Sequence, residues 1–343
     1  MNGFTAVGLD AGRSAVKAVA YSEGKRHEVM FPSIVVPAVE LSDPTTAERA
    51  RLETEEYAGK RYFTGDTARL QGNLTTSVGL SDNWTNTPEY LVLIKSAITR
   101  LKAVGVKGLD DAYIVIGTPS KLYSAHQATL VQRTRQVVNA DATVKALPQP
   151  MGAYCDYILD SNGLPIIERI VDESGKKKSY GVIEGGHFST DFLLMKEGQY
   201  IERAADSCAG MYAASEHLRR IMAKRNVNAS LIECEEAFRT KKFYQYGEVF
   251  HAEAETLEAA SHVVTEILHK GNSLFGDDAR LLHNMLIAGG SAPVIHPICA
   301  ESWKHSLLLP NPRWAVADGF ARYALGQLVK TSLQHKTVVA ANV

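Results

Sequence analysis

Three short turns carry residue types that suit phosphate. The first, Asp10-Ala11-Gly12-Arg13-Ser14-Ala15-Val16-Lys17, follows the apolar run "AVGL". An aspartate at a strand end is costly unless something uses it, and it can hold a metal-bound water. A glycine permits a tight turn whose N–H groups point at an anion. A lysine on the returning strand reaches the same anion. The plain alternative is a surface hairpin. At a strand end, the Asp10 carboxylate is expected to be open, at little cost of burial.

The second turn, Glu184-Gly185-Gly186-His187-Phe188-Ser189-Thr190-Asp191, has the spacing of the first. Its glycines and hydroxyls would make a second phosphate clamp, or again a Gly-rich hairpin. The pairing of the two turns favours the clamp. The third, Ala288-Gly289-Gly290-Ser291, lies between an apolar run and a helical pattern, where amides at a helix start favour phosphate or ribose. A Gly-Gly before a helix is weak on its own.

The elements that must hold these turns follow from periodicity. The first 35 residues read as three antiparallel strands, and 38 to 80 as a polar, mostly exposed insertion. Leu91, Ile94, Ile98 and Leu101 predict an amphipathic helix over 88–103. "DAYIVIGTP" predicts a buried central strand, followed by a helix, the strand "ATVKALPQP" and a helix marked by Pro150. A loop-like stretch over 160–178 places the boundary between two halves. "SYGVIEGGHFSTDFLLM" and "GQYIERAAD" then predict strands. Helices follow over 209–224, 230–239 and 252–270, the last with Leu257, Ala260, Val264, Ile267 and Leu268 on its inner face. "AVADGFARYALGQLV" is a closing helix, and the tail after about residue 331 is expected to fray. Strand–acid–Gly turn–strand occurs twice, which suggests duplicated α/β halves.

Bulk properties narrow the function. The 343 residues suit two domains, and 45% hydrophobic with 22% charged residues is ordinary for a globular protein. A net charge of −1 offers no overall attraction to nucleic acid or acidic lipid, so DNA contact needs a local patch or a partner. Cys155, Cys208, Cys234 and Cys299 have no CxxC spacing and read as reduced thiols. Neither a signal segment nor an apolar run long enough for a membrane span is seen, so a cytoplasmic location is expected.

Together the three turns resemble, in order, the two phosphate motifs and the adenosine motif of the actin-type ATPase superfamily. "PQPMGAY" (148–154) and "AVADGFARY" (315–323) resemble its two connecting helices. Within the superfamily, "FPSIVVPA", "YFTGDTA", "SDNWTNTPEYLVLIKSAI" and "IVIGTPSKLY" look like ParM/StbA-type bacterial actins, which segregate plasmids. The resemblance is poor over 38–60 and 225–280. It implies an actin-like, ribonuclease H-like duplicated α/β fold, with two domains flanking a nucleotide cleft. Domain I would be 1–165 plus 315–335, with an inserted subdomain over about 35–90, and domain II would be 166–314.

The same resemblance implies residue roles. Asp10 and Glu184 would hold a hydrated Mg²⁺ through water. Gly12, Arg13, Ser14 and Lys17 would serve the β-phosphate. Gln149 falls where relatives orient the attacking water; a pre-proline loop residue is the alternative. Gly186, His187 and Ser189 would wrap the outer phosphates, with no catalytic role for His187. Gly210 would start a helix beside the ribose. Glu235 and Arg239 resemble an adenine-side pair, or lie on a solvated helix face. Gly289, Gly290 and Ser291 would line the adenosine. Relatives usually carry Asp where this chain has Glu184. The Lys176–Lys178 run reads as a solvated hairpin tip.

The expected function is a filament-forming ATPase using ATP, or GTP, with Mg²⁺. Its partners would be itself, in a polar homopolymer, and a DNA-binding adaptor at a centromere-like site, with no direct sequence-specific DNA binding and no membrane. Alternatives are a slowly hydrolysing cytoskeletal scaffold and a small-molecule kinase of the same superfamily.

Overall fold

The structure is a computed structural model that describes residues 4–72, 83–139 and 142–341, with side chains up to 334. The expectations for 73–80, and the first two residues of "SDNWTNTPEY", lie outside the described residues. The chain divides into two compact units. Unit 1 comprises 1–118, 122–169 and 314–343, and unit 2 comprises 119–121 and 170–313.

Unit 1 opens with the antiparallel strands β1 (Thr5–Ala11), β2 (Ala15–Ser22) and β3 (Lys25–Pro32). A small sheet follows, from β4 (Val35–Pro37), β5 (Thr54–Tyr57) and β6 (Lys60–Thr64), with helices α1 (Pro44–Ala50) and α2 (Gly65–Gln71). Helix α3 (Pro88–Ala103) starts where Thr87 accepts a hydrogen bond from the Tyr90 amide, 3.3 Å, and Pro88 occupies the first turn. β7 (Tyr113–Thr118), α4 (Tyr123–Val137), β8 (Thr143–Pro148) and α5 (Gln149–Ile158) complete the run. The main sheet has the order β3-β2-β1-β7-β8, with β7 and β8 parallel to β1. Its central strands are buried on both faces, which is why β7 is a continuous apolar run. Leu9, Leu91, Ile94 and Ile116 fill the face under α3, and Ala6, Val115, Val316 and Phe320 fill the other.

That second face is covered by α5 and the closing helix Ala315–Ala341. The closing helix extends past 331 to Ala341, where the sequence led us to expect a frayed tail. The two helices meet backbone to backbone. A Cβ on Gly319 would lie 1.8 Å from the Gly152 carbonyl oxygen, and one on Gly152 would lie 2.5 Å from that of Val316. Nearby, Arg26 grips the buried Asp318 carboxylate through Nε and Nη2, at 2.8 and 2.7 Å. Arg322 pairs with Asp156 at 3.0 Å.

After the short helix α6 (Ile167–Ile170), unit 2 repeats the layout. Strands β9 (Tyr180–Gly185), β10 (Ser189–Lys196), β11 (Gln199–Tyr200) and β12 (Asp206–Ala209) are followed by helices α7 (Met211–Lys224) and α8 (Leu231–Thr240). A capping box of Ser230 and Glu233 starts α8. The hairpin β13 (Lys242–Gln245) and β14 (Glu248–His251) leads to α9 (Glu253–Phe275), β15 (Asn284–Ala288), α10 (Ala292–Ser302) and β16 (Ser306–Leu308). The sheet order β11-β10-β9-β15-β16 matches that of unit 1, with the first pairings antiparallel and the last two parallel. The strand expected over 198–206 is broken by a 3₁₀ turn at Glu202–Ala204. On α9 the inner face is Thr256, Ala259, Ala260, Val263, Val264 and Ile267. Leu257 is 60% exposed, because the helical stripe runs one position away from it.

Two outcomes follow. Gly319→Ala has no room for its methyl group and should destabilise unit 1 by about 1–3 kcal/mol, measured as a lower urea midpoint with an unchanged slope. Burial pushes the Asp156 carboxyl up to about 6, against the pull of Arg322. The folded state therefore holds a proton that the unfolded chain has released. Stability from this group is present at the ordinary carboxylate value and falls as pH rises to about 6. Asp156→Asn should flatten the urea midpoint across that window.

Candidate functional site

In unit 1, the β1–β2 register places Lys17 directly opposite Asp10, so both side chains share one face. Lys17 Nζ lies 2.6 Å from Asp10 Oδ2, and Gln149 Nε2 donates to Oδ1 at 2.9 Å. Asp10 is 2% exposed, Lys17 8% and Gln149 9%. One expectation is corrected. The Asp10 carboxylate is buried in an ion pair rather than open, because the register delivers the lysine onto it. The same pairing turns the Lys17 ammonium to Asp10 as its partner. Gln149 is the first residue of α5 rather than a loop residue, with Pro150 beside it in the first turn. Gly12, Arg13 and Ser14 form the half-buried turn. It is anchored by Ser33, just after β3, whose amide donates to Ser14 O at 2.9 Å and whose hydroxyl donates to Gly12 O. The sequence reading did not single out Ser33.

In unit 2, β9 and β10 set Asp191 opposite Glu184, as β1 and β2 set Lys17 opposite Asp10. Both members are acidic, and they are matched differently. Asp191 is fully buried. Its Oδ1 accepts from the Ser120 amide at 2.6 Å and the Ser207 hydroxyl at 2.7 Å, and its Oδ2 accepts from the Ser189 hydroxyl at 2.8 Å. The Ser189 proton, expected to face phosphate, therefore goes to Asp191. The Glu184 side chain, 5% exposed, extends to the third turn. A Cβ on Gly289 would lie 2.4 Å from Glu184 Oε1, and Gly289 has φ +93°. Only glycine makes room there for the longer acid.

The remaining candidates in unit 2 converge on these turns. The Ser291 amide donates to Gly185 O at 2.9 Å and its hydroxyl to Gly186 O at 3.1 Å, tying the third turn to the second. Gly210 precedes α7, and a Cβ there would lie within 2.8 Å of His187 O, Ser189 N and Gly186 O. Gly290 borders open space. His187 Nε2 lies 3.6 Å from Glu235 Oε2. Burial holds the His187 imidazole below its ordinary value, and Glu235 pulls the other way. Arg239, one turn along α8, is exposed. Its charge and burial hold the Arg313 guanidinium below its ordinary range, burial first, while Glu235 opposes them. Arg313 and Asp191 are the residues sequence reasoning missed here. The acid-to-acid register was legible for Asp191; Arg313 carries no local pattern.

Among the described residues, no group of three or more His, Cys, Asp or Glu is placed to hold a metal ion. No described helix is long and apolar enough to cross a membrane. All four cysteines are free; Cys155, Cys234 and Cys299 are buried, and Cys208 is half-buried.

Residues 8–152 match the profile of the actin like proteins N terminal domain. No curated protein matches the chain by sequence. Among solved structures, the chain is similar to the 15-stranded ParM filament from Clostridium botulinum, with 18% identity, TM-score 0.75, and coverage of 94% of this chain and 99% of that one. It is similar to the pCBH ParM non-polymerisable quadruple mutant, with 19% identity, TM-score 0.72, and coverage of 95% and 100%. It is also similar to Ta0583, an archaeal actin homolog, in complex with ADP, with 16% identity, TM-score 0.68, and coverage of 93% and 98%. The chain has the actin-like fold.

The buried pair generates a prediction. Asp10→Ala strands the Lys17 ammonium and should cost about 3–5 kcal/mol, while Asp10→Ala with Lys17→Met should recover most of it. Urea midpoints of the two variants check this. Equal midpoints would show that the pair carries no mutual dependence.

Proposed function

We propose that this protein is an actin-like ATPase whose nucleotide state controls its assembly into a polar filament. We further propose that the filament segregates plasmid DNA through a DNA-binding adaptor at a centromere-like site. One observation carries the reading: both sheets have the same strand order and bear an acid at the penultimate position of the first strand, just before a glycine turn. The filament described for the Clostridium botulinum ParM and the ADP complex of Ta0583 support it. The near-neutral charge agrees with DNA attachment through an adaptor.

In this proposal ATP, or GTP, takes amides from the Gly12–Ser14 turn and from the Gly186–Ser189 turn. Gly210, Glu235, Arg239 and the Gly289–Ser291 turn serve the ribose and base. Mg²⁺ usually keeps several of its waters, so a few carboxylates reaching it through water suffice. Asp10 and Glu184 would hold it through those waters, and its charge would stabilise the phosphates. Gln149 would orient the attacking water, positioned by the hydrogen bond it makes to Asp10. Polymer growth needs a heterologous, non-closing contact and a nucleotide that distinguishes conformations.

Sedimentation and phosphate release test this. With ATP and Mg²⁺ the protein should pellet above a critical concentration, and scattering should decay as ATP is consumed. Glu184→Ala should still bind ATP but release phosphate on the order of 10²-fold more slowly. Gln149→Ala should also slow release and prolong the filaments. Glu184→Asp should change turnover more than affinity. Pelleting that ignores nucleotide would overturn the proposal, and phosphate transfer to a small molecule without pelleting would indicate a kinase.

A further inference from the structure

We propose that His187 is a proton-linked nucleotide contact, taking up one proton from solvent when phosphate binds at the second turn and sharing its charge between that phosphate and Glu235. The inference rests on the nucleotide reading above and adds a residue-specific linkage to it.

The geometry holds the ring in one place. His187 meets Phe188 edge-on at 4.7 Å and Tyr212 edge-on at 5.7 Å, and Phe188 stacks on Tyr212 at 5.1 Å. The Tyr212 amide donates to His187 O at 2.6 Å, so the turn and the start of α7 move together. The side chain is 11% exposed, with Nε2 3.6 Å from Glu235 Oε2. That distance is a Coulombic contact rather than a hydrogen bond.

The charges around it set the direction. Glu235 on α8 is the charge that acts on the ring. Arg313 is acted on by the Glu235 carboxylate and, in the opposite sense, by Arg239 on α8. From α7 comes the neutral Tyr212 phenol, with Glu216 and Arg219 beside it. Burial keeps the imidazole neutral at neutral pH, against Glu235. A polyphosphate at the Gly-rich turn adds a second anion, which favours the imidazolium. Binding then brings a proton with it, and affinity rises as pH falls.

Calorimetric titration of the full chain with Mg·ADP, in buffers of different ionisation enthalpy, tests this between pH 6 and 8. The wild type should take up more protons than His187→Gln, and its Kd should tighten several-fold more on acidification. Protonation of ADP itself is common to both proteins and cancels in the comparison. Glu235→Gln, whatever its affinity for ADP, should displace the proton uptake on binding to lower pH, which a merely structural role for Glu235 would not produce. Equal proton uptake by wild type and His187→Gln would overturn the inference while leaving nucleotide binding intact. No ADP binding at any pH would remove the nucleotide reading and this inference together.

Discussion

A carboxylate near the end of a buried strand must be matched by what stands opposite it. Both units are organised around that requirement. In unit 1 the partner is the Lys17 ammonium, and α5 begins where Gln149 can reach the other oxygen. In unit 2 the opposite residue is a second acid, so the matching is delegated. Asp191 takes donors from Ser120, Ser189 and Ser207, and Glu184 extends to the Gly289 turn. The duplication is thus one of topology and register, with different chemistry at each copy. Two paired charges of opposite sign suit a fixed platform, whereas two acids demand a denser polar surround.

The closing helix shows how far backbone contact can replace side chains. Gly152 and Gly319 let α5 and the closing helix touch main chain to main chain, which fixes α5 against the sheet. Gln149, at the first turn of α5, inherits its position from that packing. A candidate catalytic side chain is therefore placed by a glycine contact elsewhere on its own helix.

Much of this was legible in the sequence because the signals are local. The apolar run "DAYIVIGTP" has one solution as a buried parallel strand, and Thr87-Pro88 starts α3 as capping chemistry requires. The three glycine turns were visible from residue type. What was not legible depends on contacts that residue type does not give: register sets Lys17 on Asp10, and the Ser189 hydroxyl donates to Asp191. Leu257 was assigned inward because a helical stripe one position away fits the same sequence almost as well. Arg313 joins the site through tertiary contact alone, and nothing near it in sequence announces that.

The proposed function requires that the acids of the two hairpins serve one reaction. Single-turnover phosphate release by Asp10→Asn, Glu184→Gln and the double variant tests it most directly, with urea midpoints confirming that each is folded. Residues that act as a unit lose their effect together. The double variant should therefore release phosphate about as slowly as the slower single variant. Losses that multiply independently, or a native rate in Glu184→Gln, would contradict the account.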